Sequence, residues 1–226
     1  MDGENKWLIP VAIIVAGLLV AGALFYKGKV VPPTDPNQPT EEIVVAPISA
    51  SDHVLGSPNA PITIIEFSDI DCPFCQTFHA TMEQITNEYG KTGQVAWVYR
   101  HFPLDQLHPN ARTKAESTEC VASLGGNDAF WTYLKILFER TDETLTDLPA
   151  IAASVGVDQT AFNTCVTEKR FAARVVADSD AAMAAGGRGT PYSIILTADG
   201  DEFPVNGAQP YEVVKQVIDT ILASQE

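Results

Sequence analysis

Two cysteines three residues apart, in Cys72-Pro73-Phe74-Cys75, follow the apolar run Ile62–Phe67 and open the helical pattern Phe74, Phe78, Met82, Ile85, Tyr89. This junction constrains the fold more than any other segment. The first turn of a helix leaves backbone N–H groups unpaired, and the macrodipole favours an anion there. A thiolate at Cys72 is such an anion, so its pKa is expected to fall below that of a free cysteine. Cys72 precedes the helix and is expected to face solvent; Cys75 lies one turn inside. Their separation allows a small disulfide ring, which suits reversible two-electron exchange. Two other readings compete: an inert disulfide clip, and a zinc site completed by His79 or His101. A ring this short is a poor staple, and no second metal-type cysteine pair accompanies it. No metal is therefore expected.

The net charge of -15 over 226 residues leaves no basic patch for phosphates, so nucleic acid is not an expected partner. Leu8 to Tyr26 is an apolar run of 19 residues, close to the ~20 needed to cross a bilayer as a helix. It reads as a retained signal anchor or as a signal peptide cut near Ala21-Gly22-Ala23. The run continues through Leu24-Phe25-Tyr26, which favours the anchor over residues 1–27. Flanking charge is ambiguous: Asp2 and Glu4 offset Lys6 on one side, and Lys27 and Lys29 follow on the other. Positive-inside reasoning alone would put the carboxyl side in the cytoplasm. A dithiol domain behind an export-like segment makes better sense outside. Residues 28–50, with Pro32, Pro33, Pro36, Pro39 and Pro47, read as an extended spacer.

The remainder, 51–224, is readable in detail. Strands are expected at Ile62–Ser68, Val95–His101, Tyr192–Thr197 and Glu202–Asn206. A helix is expected over Phe74–Tyr89. Further helical stretches follow around Asn110–Leu124, Asp128–Glu139, Asp147–Val155, Asp158–Thr167 and Phe171–Ala185. An amphipathic helix beginning near Tyr211 closes the chain. The βαβ unit implies a parallel pair with a right-handed crossover. Cys120 and Cys165 fall on apolar helical faces. They are either two buried thiols or a structural disulfide, and the exported context favours the bridge.

The order βαβ, then helices, then ββα is that of a thioredoxin core split by a helical insertion, here at about 104–186. The chain resembles the DsbA-like branch of the thioredoxin superfamily. The resemblance rests on Ala60–Asp69 leading into Cys72-Pro73-Phe74-Cys75, on Arg100–Leu104, on His108–Ala111 and on Gly189-Thr190-Pro191. The fold class it implies is an α/β, thioredoxin-like core with an inserted helical domain, behind an N-terminal transmembrane helix.

The resemblance implies roles as well. Cys72 would be the attacking or attacked sulfur and Cys75 the resolving thiol. Pro191 would follow a cis peptide facing the dithiol, and Thr190 would pair with an extended substrate, which would also meet Pro73 and Phe74. Glu66 matches a buried acid that would exchange a proton with Cys75. Asp69 and Asp71 would raise the Cys72 pKa against the helix dipole, and Phe74 stands where the most oxidising members carry a histidine. His53, His79, His101 and His108 read as satisfied structural histidines; Trp97 and Trp131 read as core.

The expected function is a membrane-tethered, extracytoplasmic thiol:disulfide oxidoreductase, or a reductase or isomerase using the same site. A non-catalytic peptide-binding module is the reading from another class. Expected partners are exported proteins with free thiols or disulfides and a membrane redox protein. No cofactor is expected. The short, proline-rich spacer is no dimerisation domain, so a monomer is expected. The location would be the cell surface or periplasm, or the medium if the first segment is cleaved.

Overall fold

Ile62, Ile65 and Phe67 are wholly buried and Ile64 almost so, as expected of a strand covered on both faces. They lie on a strand in the middle of a five-stranded sheet. The computed structural model describes residues 44–140 and 143–224. Along the chain the elements are β1 (His53–Leu55), β2 (Ile62–Ser68), α1 (Pro73–Ile85), a π-helical turn (Thr86–Gly90), β3 (Val95–His101), α2 (Ala111–Glu139), α3 (Leu148–Ser154), α4 (Gln159–Thr167), α5 (Ala172–Ala184), β4 (Tyr192–Thr197), β5 (Glu202–Asn206) and α6 (Tyr211–Ser224). The sheet order is β1-β3-β2-β4-β5. Only β2 and β3 run parallel, with Glu66 opposite Tyr99. On the other side β4 pairs antiparallel with β2, placing Ser193 opposite Glu66.

Strand alternation sorts the β2 side chains between two cores. Ile62 and Ile64 face a large cluster with Cys75 and Phe78 of α1, Trp97 and Tyr99 of β3, Phe130 and Leu134 of α2, and Ile218 of α6. Ile65 and Phe67 face a smaller one with Val98, Tyr192 and Ala182 of α5. Glu66 and Ser68 continue the first face, toward α1.

The structure departs from the sequence expectations in four places. The first is β1, three residues on the edge, too short to show a period. The second is the end of α1. A helix was expected to run to Tyr89, but regular α geometry stops at Ile85. There the Thr86 hydroxyl donates to the carbonyls of Met82 and Glu83, competing with the backbone ladder. The third is α2, where the two expected helices abut in one 29-residue run without a loop. Gly126 makes the join at φ 82°, a conformation glycine adopts without penalty. The fourth is the end of the proline-rich segment. The buried Arg100 guanidinium donates to the carbonyls of Ala46 and Pro47 and is paired with Asp52. Residues 46 and 47 are thus tied to the folded part, although the spacer was expected to reach residue 50.

The expected anchor over 1–27, and the spacer up to residue 43, lie outside the described residues. Among the described residues no helix is long and apolar enough to cross a membrane.

Cys120 on α2 and Cys165 on α4 are joined by a disulfide spanning 45 residues of sequence. Asp158 caps α4, its carboxylate accepting from the Ala161 N–H. Closing a loop of this size removes conformations from the unfolded chain. The Cys120→Ala/Cys165→Ala variant is expected to lose about 4 kcal/mol in denaturant unfolding, by the chain-entropy relation. Unfolding midpoints equal to those of the unaltered chain would show that packing between α2 and α4, not the bridge, holds the insertion together.

Candidate active site

Cys72 is the residue at which extended chain becomes helix: its φ and ψ are -81° and 122°, and Pro73 occupies the first turn of α1. Proline costs nothing there, since an N–H at that position would have no helical partner. Cys72 and Cys75 are both free thiols. Across from them the Thr190–Pro191 peptide is cis. The Cys72 Sγ lies 3.6 Å from the Thr190 carbonyl oxygen. Against expectation, Cys72 is only 5% exposed. The loop carrying Thr190 covers the sulfur that the helix start alone would leave open.

The two thiols have opposite acidities. The Cys72 pKa is held down to about 5, chiefly by a hydrogen bond from the Cys75 thiol; burial opposes this, and the backbone N–H groups of Cys75 and Phe74 and the Thr190 side chain add to it. Burial pushes the Cys75 pKa far up, and the neighbouring Cys72 sulfur pushes it further; Ser68, the Asp69 N–H and Thr190 offset only part of this. The Asp69 N–H donates to the Cys75 Sγ at 3.4 Å. One proton therefore stays on Cys75 while Cys72 carries the negative charge.

Glu66 is fully buried beneath α1, its pKa raised to about 7 by burial, which the neighbouring Ser68 and Trp97 side chains offset only in part. The two acids expected to burden Cys72 are occupied elsewhere. Asp69 accepts from the N–H groups of Asp71 and Leu104 and from His108 Nδ1, at 2.7–2.9 Å. Asp71 pairs with Lys114, whose ammonium also reaches Glu143 at 2.7 Å. Neither aspartate is among the main influences on the Cys72 thiol. A cavity of about 200 Å³ opens beside Cys72, lined by Ile70, Pro73, Gln76, Leu137 and Phe138, with Lys114 and Glu143 among its charged groups. Phe74, two residues after Cys72, is 67% exposed, and its backbone N–H lies toward the Cys72 sulfur.

A family model described as thioredoxin matches residues 49–220, and the crystal structure of Wolbachia pipientis alpha-DsbA1 shares the fold with a TM-score of 0.70 at 27% identity, covering 81% of this chain and 96% of that one. The chain belongs to the thioredoxin family and is DsbA-like in fold. Oxidised BdbD from Bacillus subtilis has the same fold, with a TM-score of 0.68 at 22% identity over 79% of this chain and 96% of that one. In sequence, 141 residues are 34% identical to part of the Na(+)/H(+) antiporter NhaA 3 of Salinispora tropica, covering 62% of this chain and 21% of that protein. The chain thus spans about a fifth of the length of the relatives it matches.

Other polar residues of this DsbA-like chain are placed less predictably. Lys114, only 5% exposed, was not singled out from the sequence. Its one hint is its spacing from Ala111 on a face that also carries Ala115. Ser68, two residues past Glu66, was missed as well, because a serine at a strand end carries no signal of its own. His53 and His101 both bond Glu119 Oε1, and the His101 N–H donates to Asp178, so these groups are tied to one another. His79 departs from the expectation of a satisfied histidine. Both its nitrogens lack partners, its ring stacks on Phe138, and burial lowers its pKa to about 3. Among the described residues, no group of three or more metal-type side chains includes Cys72 or Cys75.

Burial raises the Glu66 pKa above its ordinary 4.5, so the protonated carboxyl is the form that favours folding. Its contribution is complete below about pH 4.5 and is lost as pH rises through about 7. Glu66→Gln is therefore expected to match the unaltered protein in acid and to exceed it by about 3 kcal/mol at mildly alkaline pH. Parallel stability–pH curves from urea titrations would contradict this. Lys114→Met leaves Asp71 and Glu143 without their cation, at an expected cost of about 3 kcal/mol and with a higher Cys72 pKa. Asp71→Asn and Glu143→Gln, added to it, should recover most of both, as read by urea unfolding and thiolate absorbance.

Proposed function

We propose that this chain is a membrane-tethered, extracytoplasmic enzyme that introduces or exchanges disulfides in exported proteins through Cys72 and Cys75. The observation that carries the reading is the placement of two free thiols, Cys72 at the start of α1 and Cys75 one turn inside it, with Cys72 Sγ 3.6 Å from the Thr190 carbonyl oxygen. A stabilised Cys72 thiolate is a good leaving group, and it stabilises the reduced enzyme, which favours passing the disulfide to a substrate.

In the forward direction a substrate thiolate attacks Cys72 Sγ of the Cys72–Cys75 disulfide. The substrate–Cys72 bond forms, the Cys72–Cys75 bond breaks, and Cys75 takes up a proton. A second substrate thiolate then attacks the substrate sulfur of the mixed disulfide and expels Cys72 as thiolate. The substrate loses two electrons and the enzyme gains them; a membrane redox protein accepts them in turn. Thr190 and Pro191 would line the extended substrate, with Phe74 and the cavity beside Cys72 receiving its neighbouring side chains. Glu66 would serve as the proton reservoir for Cys75. No cofactor enters the reaction, and the enzyme would act as a monomer.

Three features support the location. Leu8–Tyr26 has the length and composition of a membrane anchor. The Cys120–Cys165 bridge belongs to an oxidising compartment. Matching segments also occur within proteins named as sodium/proton antiporters, in keeping with a domain attached at a membrane.

Cys72→Ser is expected to abolish catalysed oxidative refolding of a reduced, disulfide-containing protein. Cys75→Ser is expected to accumulate a Cys72–substrate mixed disulfide on non-reducing gels. Refolding by Cys72→Ser at the unaltered rate would remove Cys72 as the exchanging sulfur and leave a peptide-binding module as the better account.

A further inference from the structure

The layer beneath Cys75 holds polar side chains that no ordinary core would keep. Glu66 and Ser68 of β2, Tyr99 and Trp97 of β3, and Ser193 of β4 are each at most 1% exposed. Both Glu66 carboxyl oxygens, the hydroxyls of Ser68, Tyr99 and Ser193, and the Trp97 indole nitrogen close no hydrogen bond of regular geometry. Leaving one such group unpaired costs about 1–3 kcal/mol, and an alanine or valine at position 68 would avoid that cost. Retaining several together calls for a use other than packing.

Strand register makes the arrangement specific. Glu66 and Ser68 are two apart on β2 and share the face that α1 covers, the face to which Cys75 contributes. Tyr99 lies opposite Glu66 on β3 and Ser193 opposite it on β4. Ser68 shares this face with Glu66, and its side chain lowers the pKa of Cys75, Glu66 and Tyr99 alike, as a hydroxyl near all three would. A hydroxyl that faces a thiol and a carboxyl, bound firmly to neither, can donate to one while accepting from the other.

We propose that Ser68 relays the proton between Glu66 and Cys75 during thiol–disulfide exchange. The relay rests on the function proposed above and supplies its proton path. When the Cys72–Cys75 bond breaks, Cys75 leaves as a thiolate in a site that strongly disfavours that charge. Ser68 gives its hydroxyl proton to Cys75 Sγ and takes one from the Glu66 carboxyl. One proton moves from Glu66 to Cys75 and Ser68 ends neutral. In the reverse direction Cys75 attacks Cys72 Sγ in the mixed disulfide and releases the substrate thiolate, while the Cys75 proton travels through Ser68 to Glu66. The groups facing this path are Tyr99 from β3, Asp69 from the loop after β2, and the Cys72 sulfur at the start of α1. Glu66, with a pKa of about 7, can give or take the proton near neutral pH.

The test is the rate at which a purified Cys72–peptide mixed disulfide resolves, followed by stopped flow as a function of pH. Ser68→Ala is expected to slow resolution at least roughly tenfold near neutral pH. It should also flatten the pH dependence that Glu66 imposes while leaving the reduction potential unchanged. Ser68→Thr keeps a hydroxyl and should restore most of the rate. Because the two residues act in series, Glu66→Gln/Ser68→Ala should be no slower than Glu66→Gln alone. Resolution by Ser68→Ala at the unaltered rate and pH profile, or multiplicative losses in the double variant, would overturn the relay while leaving the exchange chemistry intact. If the unaltered enzyme forms no mixed disulfide with the peptide, the exchange reading fails and the relay fails with it.

Discussion

One proton serves two sulfurs, and most of the site is arranged around which of them holds it. Cys75 faces the core, where a negative sulfur would lose its hydration, so it keeps the proton. That thiol then donates to Cys72, whose charge is further held by the amides of Phe74 and Cys75 at the open end of α1. Pro73 lies between them without wasting a donor. The helix start alone could not create the difference. It requires Cys75 to lie one turn further on, on the side that β2 and β3 cover.

The same geometry explains why the face of β2 toward α1 changes character along its length. Ile62 and Ile64 build core with Trp97 and Phe78; Glu66 and Ser68, nearer the sulfurs, give up that packing for polar groups. Such an exchange destabilises, and the loss must be offset nearby. Phe130, Leu134 and Leu137 from α2 fill the large cluster, and the Cys120–Cys165 bridge fixes α4 against α2. The insertion thus contributes to the core that the sheet's polar end weakens.

Much of this was legible in the sequence where period and punctuation agreed. The bounds of β2, β3 and β4 match the apolar runs because each run is short and flanked by polar or turn residues, and β5 is marked by the turn at Ala198–Asp201 that precedes it. Asp158 announced α4 because a capping carboxylate acts locally. What could not be read depends on distant chain. The covering of Cys72 comes from a loop 118 residues away. The neutralisation of Asp71 comes from Lys114, 43 residues on. A carboxylate next to a cysteine reads as a penalty until its partner is known, so the local rule gave the wrong expectation for both aspartates. His79 failed for the opposite reason: nothing local says that an imidazole will be walled in by Phe138 and Trp97 with no partner for either nitrogen.

The pairing of Lys114 with Asp71 also bears on what the insertion is for. Two acids precede Cys72, and each is bound by residues beyond β3: Asp69 by the Leu104 N–H and His108, Asp71 by Lys114 on α2. The loop that aims Cys72 is therefore held by the opening residues of the insertion and by its first helix. Buried ion pairs contribute little net stability against an apolar alternative, but breaking one strands a charge. That asymmetry suits positioning better than stabilising. If the insertion shifted relative to the sheet, Asp71 would lose its cation beside the sulfur and the thiolate would become harder to hold. The placement of the helical segment thus enters directly into the charge balance at Cys72, and the dithiol site spans both parts of the fold rather than belonging to the thioredoxin core alone.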